Sequence, residues 1–72
     1  MNRKLSVYES NDGLGYVEIW FDFKEECGRL EYYDNNGTMF FTEEFPNKSI
    51  HYLNDAAENW ANGIKKIETL YG

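Results

Sequence analysis

The chain has 72 residues, a net charge of −6 from 7 basic and 13 acidic side chains, one cysteine and one histidine. That length holds a single domain, and that charge repels bare nucleic acid and anionic membranes while favouring basic surfaces. One cysteine excludes an intramolecular disulfide, and one Cys with one His falls short of the roughly four ligands of a structural zinc site.

The chain begins Met-Asn-Arg-Lys-Leu-Ser-Val-Tyr, with positive charge but no apolar stretch behind it. A secretory signal needs about 7–15 apolar residues there. A cytosolic location is therefore expected, and the lone Cys27 agrees with a reducing compartment. Leu5 and Val7 start one face of a first strand, and Asn11-Asp12-Gly13 with Gly15 breaks it. Tyr16 to Lys24 alternates strictly, with Val17, Ile19, Phe21 and Phe23 on one side and Tyr16, Glu18, Trp20 and Asp22 on the other. Such a period of 2 reads as a half-buried strand. Glu25-Glu26-Cys27-Gly28 is a turn in which Gly28 is expected to supply a positive φ.

Arg29 to Asp34 forms a third strand, and Asn36-Gly37 signals the next hairpin. Thr38 to Phe45 is the fourth strand, which Pro46 ends. Short consecutive connections predict neighbouring strands in the order 1-2-3-4. After Ser49 the period changes: Leu53, Ala57, Trp60, Ile64, Ile67 and Tyr71 make one helical stripe. Asn54 is placed to cap this helix, with Asp55 and Glu58 in its first turns and Lys65 and Lys66 near its end; Ser49 is the rival cap. Gly63 falls inside the pattern. The fold class is α+β: residues 1–72 as one four-stranded antiparallel meander with one C-terminal helix packed on one face.

One helix covers one face of such a sheet. The covered face is expected to hold Leu5, Val7, Val17, Ile19, Phe21, Phe23, Leu30, Tyr32, Met39 and Phe41. The opposite face then carries Tyr8, Tyr16, Glu18, Trp20, Asp22, Glu31, Tyr33, Phe40, Thr42 and Glu44. Exposed patches of this kind mark interaction sites when they exceed a few hundred Å², and aromatic side chains are enriched in interface cores. Three readings of the face stand side by side: a partner-binding surface, a homodimer seam, and cross-strand stabilisation alone.

Catalytic constellations are sparse. Cys27 and His51 both fall near connections, so a nucleophile–base pair has no scaffold. Glu43 and Glu44 are adjacent on a strand and point to opposite faces, so they share no site. The Asn/Asp/Gly runs at 11–13 and 34–37 lack the twelve-residue calcium-loop pattern and its terminal glutamate. Gly13 and Gly15 do not open a helix, as a phosphate loop requires. Stacking on single-stranded nucleic acid needs a basic groove, whereas the aromatic face here is acidic. No enzyme activity, cofactor or metal is expected.

In size, charge, the hairpins through Gly28 and Gly37, and the closing segment Asp55 to Ile64, the chain resembles the small acidic inhibitors that bacteriophages encode, anti-CRISPR and other anti-defence proteins among them. The resemblance implies a non-enzymatic inhibitor, phage-encoded and acting in the host cytoplasm, that binds a protein. The expected target surface is a basic one that normally holds nucleic acid, in a host defence or nucleic-acid-processing complex. The partner-binding residues on this reading are Glu18, Trp20, Asp22, Glu31, Tyr33, Phe40 and Glu44. The carboxylates would engage Arg and Lys, and Trp20, Tyr33 and Phe40 would supply the desolvated anchor. The alternative is a structural or assembly module that homodimerises or joins a larger complex through the open face.

Overall fold

The computed structural model describes residues 2–63. Four antiparallel strands, β1 (Asn2–Glu9), β2 (Gly15–Asp22), β3 (Cys27–Asp34) and β4 (Met39–Pro46), form one sheet in the order β1-β2-β3-β4, followed by helix α1 (Ile50–Ala61). The expected class, strand order and helix are all present. Ile64, Lys65, Lys66, Ile67 and Tyr71 lie outside the described residues.

The alternation of β2 and β3 becomes the two faces of the sheet. Val17, Ile19, Phe21, Leu30 and Tyr32 are buried on one side with Leu53, Ala57 and Ala61 of the helix. The helix lies mainly over β2 and β3 and reaches β1. Trp60 meets Tyr32 edge-on at 5.1 Å between ring centroids. Gly28 lies in β3 rather than in the turn, and it is Glu26 that takes the positive φ there (53°). Gly28 faces the helix so closely that a Cβ would fall 2.2 Å from Leu53 Cδ1. Its role is therefore helix–sheet approach, not turn geometry.

Two irregularities move side chains between faces. The register of β1 on β2 shifts between Lys4 and Ser6, so the extra residue, Leu5, forms a bulge. Beyond it Tyr8 stands opposite Val17 on the helix side, and Val7 stands opposite Glu18 on the other. This reverses the expected placement of both, because an added residue inverts a period of 2. A second shift falls between Tyr32 and Tyr33, which pair with Phe41 and Met39. Phe40 is left over and packs against the core, 6.3 Å from the Tyr32 ring. Met39 goes to the open side instead. Phe23, expected in the core, lies just beyond the end of β2 and is 50% exposed.

Ser49, not Asn54, caps the helix: its Oγ accepts from the Tyr52 N–H at 3.2 Å. The first turn then contains no acidic residue. Asn54 lies within the helix, where its Oδ1 accepts from the Tyr8 hydroxyl at 3.2 Å and ties β1 to α1. Gly63 follows the C-cap Asn62 with φ 80°, so it ends the helix instead of interrupting it. The loop after β1 completes this end, since the Asn11 N–H donates to the Ala61 carbonyl at 2.7 Å. No helix among the described residues is long and apolar enough to cross a membrane.

Candidate functional site: the open sheet face

With the bulges placed, the face away from the helix becomes four cross-strand rows. In strand order they read Glu9–Tyr16–Tyr33–Met39, Val7–Glu18–Glu31–Thr42, Lys4–Trp20–Arg29–Glu44, and Asn2–Asp22–Cys27–Pro46. Among the described residues, no element covers this face. Of the expected site residues, Glu18, Trp20, Asp22, Glu31, Tyr33 and Glu44 stand together on it. Phe40 does not, because the bulge in β4 turns it towards Tyr32. Sequence reasoning missed Glu9, Val7 and Met39, whose placement depends on the two bulges, and left out Lys4, which alternation with Leu5 already puts on this face. It also omitted Arg29, which simple alternation from Glu31 does put on this face.

The two central glutamates stand directly opposite each other. Like charges so placed repel, and the neighbouring side chains offset this. Glu31 is bonded at both oxygens: Arg29 Nε donates to Oε2 at 2.8 Å, and the Tyr33 hydroxyl donates to Oε1 at 2.8 Å. Glu18 Oε1 accepts from Trp20 Nε1 at 3.0 Å. Its Oε2 faces Lys4 Nζ at 3.6 Å, an ion contact longer than a hydrogen bond. The side chains of Glu18 and Glu31 are only 15% and 13% exposed.

Aromatic rings bracket this acidic centre. Tyr16 and Tyr33 stack at 5.0 Å with a 9° interplanar angle, and the Arg29 guanidinium lies over the Trp20 ring at 5.8 Å. The bond to Glu31, followed by partial burial, pushes the Tyr33 hydroxyl up to about 12. Ionising Tyr33 would set a phenolate against a carboxylate, which is the cause. Asp22 is engaged at the strand end, where its Oδ1 accepts from the N–H groups of Lys24 and Glu25 at 3.0 and 3.2 Å. Among the described side chains, carboxylates outnumber cations on the face five to two: Glu9, Glu18, Asp22, Glu31 and Glu44 against Lys4 and Arg29.

Other chemistry is scattered. Cys27 begins β3 on the open side, whereas His51 projects from the helix, 88% exposed, with Asp55 at 3.9 Å. The sheet separates the two. Glu43 lies on the helix side and accepts from the buried Tyr32 hydroxyl at 2.7 Å, so Glu43 and Glu44 do diverge as their adjacency requires. No group of three or more His, Cys, Asp or Glu that could hold a metal ion is found among the described residues. Comparison of the chain with protein-family models, with curated proteins and with solved structures gave no significant match.

Proposed function

We propose that this protein is a non-catalytic binding module that docks its open sheet face on the basic surface of a protein partner, in the cytoplasm. The observation that carries this reading is the face itself: an aromatic frame of Tyr16, Tyr33 and Trp20 around carboxylates that outnumber the cations, with no described element upon it. In this reading the acidic side chains set the encounter rate and its salt dependence, and the rings slow release. A partner surface that normally grips phosphates would be blocked while engaged. The protein would thus inhibit a nucleic-acid-processing or defence complex, as phage-encoded inhibitors of this size do.

The test is affinity capture from host lysate followed by competition. A captured nucleic-acid-binding protein, released both by salt and by added nucleic acid, supports the reading. Trp20→Ala and Tyr33→Ala should each weaken that complex by about 2 kcal/mol or more with the fold intact. Full binding by both variants would refute the face as the contact.

A homodimer is favoured by a different observation. The row holding Lys4 and Arg29 lies next to the row holding Glu18 and Glu31, so two copies related by a twofold axis between those rows would present opposite charges to each other. Light scattering across concentration separates the readings: a stable monomer argues for a foreign partner, and a tight dimer argues for assembly.

A further inference from the structure

We infer that Lys4 occupies, within the protein itself, the position that a basic side chain of the partner takes on binding, and that Glu18 Oε2 is the atom to which this incoming cation docks. The inference rests on the basic-partner reading above and specifies where on the face recognition is centred.

The two central carboxylates are opposite one another but not equivalent. Glu31 has a short partner on each oxygen, both from side chains of the same strand, β3. A carboxylate held this way, by a planar guanidinium and a tyrosine hydroxyl, is already well satisfied. Glu18 has one short partner, the Trp20 indole N–H, on Oε1. Among the described residues its Oε2 is met by Lys4 alone, at 3.6 Å, from a side chain that is 48% exposed on the edge strand β1. An exposed lysine contact of this length contributes little stability.

The carboxylate behind it is different in kind. Glu18 is largely shielded by its neighbours and oriented by Trp20, so it is pre-organised for a cation while its own cation is loosely held. A guanidinium brings planar, directed donors that a lysine ammonium lacks. It can replace Lys4 at Oε2 and lie against the Trp20 and Val7 side of the row. Lys4 then swings into solvent, which an edge-strand lysine does at little cost. The exchange makes Lys4 a competitor built into the site: it neutralises Glu18 in the free protein and lowers the affinity for basic partners.

The test uses fluorescein-labelled octa-arginine as the probe, at low ionic strength, with binding read by anisotropy and the indole N–H resonances of Trp20 and Trp60 followed by NMR. Lys4→Gln removes the competitor. Lys24→Gln, in the exposed turn after β2, makes the same change in net charge away from Glu18 and serves as the control. Lys4→Gln should tighten binding about threefold or more beyond Lys24→Gln. The Trp20 resonance should move on titration while that of Trp60 stays, and Glu18→Gln should abolish the difference between the two lysine variants. Equal effects of Lys4→Gln and Lys24→Gln, or an unmoved Trp20 resonance, would overturn the exchange while leaving a basic partner in place. No binding by the wild type or by Lys4→Gln would overturn the basic-partner reading itself, and the exchange with it.

Discussion

Gly28→Ala probes the face assignment most directly. Gly28 and Arg29 are adjacent on β3, so if Gly28 faces the helix then Arg29, Glu31 and Tyr33 face away from it. An added Cβ would stand 2.2, 2.7 and 2.9 Å from Leu53 Cδ1, Cδ2 and Cγ, where carbon atoms normally sit about 3.5–4.0 Å apart. Leu53 is fully buried and cannot simply rotate away. Either the helix lifts, an overpacking cost of about 1–3 kcal/mol, or Leu53 leaves its site and forfeits about 1.5–3 kcal/mol of burial. Alanine returns about 0.4–1 kcal/mol by restricting the unfolded chain. The expected net loss is about 1–2 kcal/mol, which for a domain of this size lowers the melting temperature by about 4–16 °C.

The measurement is thermal and urea unfolding of four proteins: wild type, Gly28→Ala, Leu53→Ala and the double variant. Removing the Leu53 branch relieves the clash, so the double variant should be more stable than the sum of the single changes predicts. A Gly28→Ala protein as stable as the wild type, or strict additivity, would refute the close approach. The assignment of Arg29, Glu31 and Tyr33 to the open face would then lose its support.

Three further predictions concern the same framework. Absorbance titration at alkaline pH should show Tyr33 ionising near 12, and Glu31→Gln should bring it back towards the ordinary value of about 10. Burial, and then the bond to Glu43, also raise Tyr32. Both groups therefore hold their protons more tightly folded than unfolded. The stability they contribute is fully present below about pH 10 and is lost as pH rises through their folded values, so unfolding should begin above that point; unchanged stability up to pH 12 would contradict it. Ser49→Ala should cost about 1 kcal/mol in urea unfolding by removing the cap, and no loss would return the helix start to Asn54.

Most of the architecture was legible because β2 and β3 are uninterrupted: from Val17 to Phe21 and from Arg29 to Tyr33 each side chain's face follows from its parity. The edges were not. Leu5 and Phe40 are ordinary strand residues in sequence, and nothing local marks them as the inserted ones. A bulge is a property of the pairing, decided by which side chains the neighbouring strand can accept. Tyr8 belongs on the helix side because it reaches Asn54 there, a contact 46 residues distant in the chain. Gly28 was misread for a related reason. A glycine after two glutamates fits a turn, and the need for a missing Cβ becomes visible only once Leu53 lies above it. The aromatic and acidic character of the face was readable, but its internal pairing was not. Glu31 takes its cation, Arg29, from its own strand, whereas Glu18 meets Lys4 of the adjacent strand, a division that alternation alone does not set.

That internal pairing makes Glu18 and Glu31, identical in type and opposite in position, unequal under substitution. Changing either to glutamine removes the like-charge repulsion across the β2–β3 pair, a gain of about 0.2–1 kcal/mol. Glu31→Gln also weakens two charge-assisted bonds, from Arg29 and Tyr33, and the new amide group meets one of those donors with a donor of its own. Bonds to a charged group contribute about 1.5–3 kcal/mol each against about 1 kcal/mol for a neutral one, so the net effect is a loss of about 1 kcal/mol or more. Glu18→Gln weakens one such bond, from the Trp20 indole, and gives up the loose Lys4 contact, worth about 0–1 kcal/mol. With one charge-assisted bond weakened in place of two, its net loss is the smaller. Urea unfolding of the two variants at neutral pH should therefore separate them, with Glu31→Gln the less stable. Equal losses would mean that the carboxylates share their counterions, and the asymmetry that singles out Glu18 as the docking atom would fall with that result.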